Sequence, residues 1–272
     1  MKNTCNGKRF ISTSMASNKR IVLIGAGNVA THLGLAFQAK GCEIVQVYSR
    51  TEESAKELAE RLQVPYTTSL EEVSANANLY IVAVKDAALQ EVIPSLVKGR
   101  EDALFVHTAG SIPMDVWKGS ARRHGVFYPM QTFSKLRMVD FSSVSFFVEA
   151  NGSDELVFLK ELAMSLSPKV YEASSEQRRY LHLAAVFACN FTNHMYALSA
   201  SLLEKQGLPF DAMLPLIDET ARKVHELPPV QAQTGPAIRR DQNVMDKHLA
   251  MLAEEPLMRE IYEKISQNIQ EL

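Results

Sequence analysis

The sequence predicts an α/β domain built on a parallel sheet, followed by an all-α C-terminal domain. Two observations carry this expectation. Short, β-branched apolar runs alternate with helix-periodic segments as far as Ala173. Beyond Ala173 the strand signals stop and only helical patterns remain. The length, 272 residues, suits two domains. The expected division is 19–173 for the sheet domain and 174–272 for the helical domain.

The first element is Ile21-Val22-Leu23-Ile24, a short β-branched run stopped by glycine, the mark of a buried parallel strand. Asn28 to Lys40 follows a helical pattern closed by Gly41. Glu43 to Tyr48 reads as a strand and Glu52 to Leu62 as a charged amphipathic helix. Leu79 to Val84 is another buried strand, with Asp86 placed to cap the helix after it. Ala103 to His107, Val126 to Tyr128 and Val144 to Val148 are further strands. Asp154 to Leu166 is a helix and Lys169 to Glu172 a last short strand. Ser174 to Lys205 then runs without Gly or Pro as one long helical stretch. Phe210 to His225, Asp241 to Leu252 and Leu257 to Ile269 read as three more helices.

Bulk properties exclude several classes. A formal net charge of -2 gives no electrostatic pull toward nucleic acid or anionic membrane. The apolar runs are broken well before a membrane-spanning length. Cys5, Cys42 and Cys189 are odd in number and widely spaced, which fits a reducing, cytoplasmic setting rather than a disulfide framework. No H-E-x-x-H pattern or paired-cysteine motif points to a metal. Met1 to Asn18 is rich in Ser, Thr, Asn and Lys and has no acidic residue, and reads as a disordered leader.

The turn after the first strand reads Gly25-Ala26-Gly27-Asn28-Val29-Ala30, a G-x-G-x-x-A pattern between strand and helix. In that context it predicts a Rossmann-type dinucleotide site. Gly25 permits the tight turn, Gly27 lets a pyrophosphate approach the backbone, and Ala30 lets helix and strand pack closely. Amides near Asn28 and Val29 then face the phosphates. At the end of the second strand an NAD site wants a carboxylate for the ribose 2′-hydroxyl. This chain has Ser49-Arg50-Thr51 there. Arg50 suits a 2′-phosphate and the two hydroxyls can donate to it, so NADP(H) is expected. Val84 and Lys85, after a later strand, are expected on the nicotinamide side, with Lys85 facing either cofactor or solvent.

Two histidines are candidate proton donors. His107 stands at a strand's carboxyl end, where a structural, backbone-bonded histidine is the alternative. His182 lies in the long helix, where His182, Val186, Cys189 and Asn193 share a stripe at helical spacing, with Asn190 beside it. Asn190 is the candidate for orienting a substrate; bonding between helices is the plainer use of such polar groups. Tyr128-Pro129-Met130-Gln131-Thr132-Phe133 either walls a substrate pocket or crosses the surface. In Gly235 to Asp241, Arg239 and Arg240 can reach an anion, and Asp241 suits an N-cap.

Taken together, Ile24 to Ala30, His107 to Ser111, Tyr128 to Ser134, His182 to Asn193 and Gly235 to Leu249 resemble one family. It is the Rossmann-like NADP-dependent oxidoreductases with a helical C-terminal domain of uncharacterised function. More distantly the chain is similar to pyrroline-5-carboxylate reductase and the 3-hydroxyacid dehydrogenases. The resemblance implies reduction of a C=N or C=O bond of a small metabolite and an interlocking helical homodimer. One departure matters: the lysine that hydroxyacid dehydrogenases carry one turn before their helix asparagine is Val186 here. An NADP(H)-binding sensor without turnover is the alternative expectation.

Overall fold

The structure is a computed structural model that describes residues 19–271. The expected leader, Met1 to Asn18, lies outside the described residues. The opening βαβ unit follows the sequence pattern closely: β1 (Arg20–Ile24), α1 (Asn28–Ala39), β2 (Glu43–Tyr48) and α2 (Glu52–Leu62). A two-residue strand, β3 (Tyr66–Thr67), precedes β4 (Leu79–Val82), α3 (Asp86–Val97) and β5 (Leu104–His107). Then come β6 (Arg123–Met130), β7 (Ser145–Ala150), α4 (Ser153–Met164), β8 (Val170–Glu172) and α5 (Ser175–Ala185).

The eight strands of the described residues join one sheet in the order β3-β2-β1-β4-β5-β6-β7-β8. Alternate residues of β1 serve opposite faces. Ile21 and Leu23 join a core with Leu33, Phe37 and Leu58, while Val22 and Ile24 join one with Leu89, Ile93 and Trp117. This two-faced burial explains the unbroken apolar runs. β1 pairs in parallel with β2 on one side and β4 on the other. The winding direction therefore reverses at β1, and its carboxyl end is the switch point where open α/β sheets bind ligands.

Three expectations need correction. β6 and β7 are antiparallel, with Gly125 opposite Ala150 and Met130 opposite Ser145. Between them lie an isolated bridge from Ser134 to Arg137 and a 3₁₀ turn, Phe141–Ser143, and no crossover helix that parallel pairing would require. Asp86 is the first residue of α3 rather than its cap; Lys85 is the N-cap, and the Asp86 carboxylate accepts the Ser111 hydroxyl instead. The long helical stretch is not uniform. It widens to a π-helix over Val186–Phe191 before α6 (Thr192–Glu204). The wider turn shifts the helical phase, so the stripe expected from His182 to Asn193 does not hold beyond Val186.

By contacts the chain divides between Cys189 and Asn190. The second unit holds α6, α7 (Leu214–Glu226), α8 (Pro229–Ala232), α9 (Gln242–Met251) and α10 (Pro256–Gln270). Asp241 caps α9 as expected, accepting the Val244 amide at 3.3 Å. Within this unit Leu198, Leu202, Leu252, Tyr262 and Ile265 line an apolar cavity of about 340 Å³. No helix among the described residues is long and apolar enough to cross a membrane.

α5 belongs with the sheet because its first turns are tied to it. Ser174 and Gln177 form a reciprocal capping box. Arg178, 1% exposed, pairs with Glu149 at the end of β7 and donates to the Ile112 carbonyl at 2.6 Å. Ser175 donates to Glu149 at 2.8 Å and accepts the Met114 amide at 2.8 Å. Removing one partner of a buried pair strands the other. Arg178→Ala is therefore expected to lower unfolding stability by about 3 to 5 kcal/mol in urea titration. A loss under about 1 kcal/mol would show that the pair does not anchor the helix.

Candidate functional site

The turn after β1 has the geometry a dinucleotide needs. Gly25 has φ +112°, and a Cβ there would lie 2.4 Å from the Ala83 carbonyl oxygen. Only glycine fits. Its amide donates to the Tyr48 carbonyl at 2.7 Å, which fixes the turn against the end of β2. Gly27, the N-cap of α1, is different: a Cβ there would meet nothing within 4 Å. The open space lies at the N-terminus of a 12-residue helix with no side-chain cap and no acidic residue in its first turn. Such a terminus suits a phosphate.

Gly25, Ala26, Gly27, Ser49, Arg50, Val84 and Lys85 line a single cleft of about 180 Å³, together with Tyr48 and Ala83. Seven residues singled out from sequence thus come together across three βα turns. Arg50 is exposed at its rim, and no carboxylate among the described residues pairs with it.

Asn28, Val29 and Thr51 do other work. The Asn28 side chain donates to the Phe133 carbonyl at 2.9 Å and accepts the Lys135 amide at 3.3 Å, holding the β6–β7 loop. His32, one turn on and fully buried, contacts the Ser134 carbonyl at 3.0 Å through Nε2. Val29 packs on the core, and Thr51 is the N-cap of α2. The side-chain role of Asn28 was invisible in sequence because its partners lie 105 and 107 residues away.

The two histidines separate sharply. His107 is completely buried, and its Nδ1 accepts the Ala109 amide at 3.2 Å. Burial, reinforced by the Arg178 charge and only partly offset by the Pro113 backbone, pushes its pKa down to about 3. A neutral imidazole fixed to backbone speaks against His107 as the proton donor.

His182 is half-buried, with Nδ1 3.4 Å from the Tyr128 hydroxyl and its ring edge-on to the tyrosine. Tyr128 was legible both as the end of a short strand and as the start of a polar-aromatic loop; the structure makes it a buried residue of β6. Burial raises its pKa, Arg178 lowers it and Cys189 raises it again. Asn190 is exposed in the π-helical turn, in the second unit. Arg240 donates to the Gln270 carbonyl at 3.3 Å, also within that unit.

Comparison with known proteins agrees with this geometry. Residues 20–110 match the family described as NADP oxidoreductase coenzyme F420-dependent, and residues 144–269 match a domain of unknown function, DUF2520. The chain is 62% identical to a putative NADP oxidoreductase of Bacteroides fragilis, with a TM-score of 0.91, covering 94% of this chain and 99% of that one. It is 15% identical to an imine reductase of Myxococcus stipitatus solved with NADP+, with a TM-score of 0.70 over 93% of each chain. It is also 15% identical to 1-pyrroline-5-carboxylate reductase of Streptococcus pyogenes, with a TM-score of 0.61 over 93% of this chain and 98% of that one. The last two likenesses establish the fold. No curated protein matches the chain.

The buried His107 sets a pH dependence. The unfolded chain protonates this imidazole below its ordinary value of 6.5, whereas the folded chain resists protonation down to about 3. The stabilising contribution is thus complete above pH 6.5 and is lost as pH falls through that window. Linkage puts the loss between pH 7 and pH 5 at about 2 kcal/mol. Denaturant titrations of wild type and His107→Asn should converge by that amount over this range; parallel curves would mean that His107 titrates normally.

Proposed function

This chain belongs to the family of NADP oxidoreductases that join an NADP oxidoreductase domain to DUF2520, and from that premise we propose that it is an NADPH-dependent reductase. Its reaction is reduction of a C=N or C=O bond in a small metabolite by hydride transfer. The observation that carries the reading is the cleft in which the open Gly27 position, the uncapped end of α1 and Arg50, which has no carboxylate partner among the described residues, meet.

NADPH, when bound, supplies the hydride. The α1 amides and Gly27 would hold its pyrophosphate, and Arg50 with Ser49 would hold the 2′-phosphate. Val84 and Lys85 border the nicotinamide side. His182 serves proton transfer.

The reductase is proposed to act as a homodimer. Leu202, Leu214, Leu216, Val224 and Leu227 are all exposed in the helical unit, which buries few apolar residues of its own. An apolar surface of this kind favours a protein partner. Light scattering at micromolar concentration should report a dimer; a monomer would count against it.

The function is tested by incubating the protein with NADPH and a panel of cyclic imines, ketoacids, aldehydes and coenzyme F420, following loss of nicotinamide absorbance. Turnover of at least one carbonyl or imine substrate is expected. Tight NADPH binding with no turnover across the panel would favour a sensor. Arg50→Ala should weaken NADPH by about 10- to 100-fold, the worth of one charge-assisted contact, and leave NADH nearly unchanged. Equal loss of both would sink the 2′-phosphate assignment.

A further inference from the structure

Tyr128 is not among the residues that the glycine turn or the helix pattern points to, yet it occupies a distinctive place. Strand β6 pairs in parallel with β5, and His107, the last residue of β5, is opposite Val126. Tyr128 therefore stands two residues past that pairing, on the carboxyl rim of the sheet where open α/β folds bind ligands. It is 9% exposed, and the hydrogen-bond partner of its hydroxyl is His182 Nδ1 at 3.4 Å.

His182 is itself pinned. A Cβ added to Gly110 would lie 2.8 Å from its Nδ1 and 2.9 Å from its Cγ, so the imidazole rests directly on the backbone after β5. The helix carrying it is held by Arg178 to Glu149 and to the Ile112 carbonyl. A buried hydroxyl thus leads, through an imidazole that reaches water, out of the protein. The titratable groups facing that hydroxyl are His182, Arg178 and Cys189. Arg178 supplies positive charge close enough to favour a transient phenolate.

We propose that Tyr128 is a catalytic residue, the acid that gives its hydroxyl proton to the substrate nitrogen or oxygen, with His182 resupplying it. The proposal rests on the reductase reading above. The balance is simple. Hydride from the reduced nicotinamide adds to the substrate carbon, and the C=N or C=O π pair moves to the heteroatom. That atom takes the Tyr128 proton, leaving a phenolate. The phenolate takes a proton from His182 Nδ1, and the imidazole is replenished with one proton from water. The substrate gains one hydride and one proton. The plainer role, a tyrosine whose hydroxyl is merely satisfied by a histidine, has the same geometry and a different kinetic result.

The test uses the full chain and the best substrate of the panel, comparing wild type with Tyr128→Phe and His182→Gln. Tyr128→Phe should lower kcat by about 100-fold or more, in the range of a lost general acid, and leave KM and NADPH affinity within about threefold. His182→Gln should lower kcat by less than Tyr128→Phe does and leave KM and NADPH affinity within about threefold. Independently of turnover, the ¹⁵N resonance of His182 Nδ1 should shift in Tyr128→Phe, reporting the lost hydroxyl. Wild-type turnover undiminished in Tyr128→Phe would overturn the assignment and leave the reductase reading intact. No turnover in wild type would overturn the reductase reading itself. Loss of NADPH affinity together with kcat, with no change in the His182 resonance, would make Tyr128 structural. If Tyr128→Phe fails to fold, Gly110→Ala decides: its methyl group crowds the imidazole at Nδ1, and an unchanged kcat there overturns the relay.

Discussion

Arg178 carries a positive charge almost wholly out of water, and the sheet is built to receive it. Glu149 at the end of β7, the Ile112 carbonyl after β5 and the Ser175 hydroxyl at the head of α5 all converge on its guanidinium. Isolated, such a charge would be prohibitively unfavourable in the interior; matched by a carboxylate and planar hydrogen bonds, it becomes a three-way joint. The joint fixes where α5 begins, and hence where His182 stands over Gly110.

The same charge lowers the pKa of two neighbours, adding to burial at one and opposing it at the other. It lies close to His107 and discourages an imidazolium there, adding to the burial that already keeps this ring neutral. It lies close to Tyr128 and favours the anionic form, working against burial. Burial is the larger influence at both sites: it keeps the His107 ring neutral and the Tyr128 hydroxyl protonated. Separation of protonation behaviour by environment is how a single fold gives similar groups distinct tasks.

What was legible in the sequence follows from range. The bounds of β2 and α2, Glu43–Tyr48 and Glu52–Leu62, are those the local pattern predicts, because periodicity and glycine punctuation are properties of neighbouring residues. Seven cofactor-cleft residues were legible too, since each sits at the end of a recognisable strand. The antiparallel β7 was not, because its direction depends on a missing crossover helix rather than on its own residues. Nor was the π turn at Val186–Phe191, whose residues read as ordinary α-helix formers. The Tyr128–His182 and Asn28–Phe133 contacts span 54 and 105 residues, so only the folded chain brings them together.

The Gly25 turn bears on the thermodynamics of association. Its left-handed backbone is held by the protein's own bonds, to the Tyr48 carbonyl below and against Ala83 beside it. A dinucleotide arriving there meets a surface already shaped, with amides already aimed. Little backbone freedom is left to lose on binding, so contact energy passes into affinity without being spent on ordering a loop.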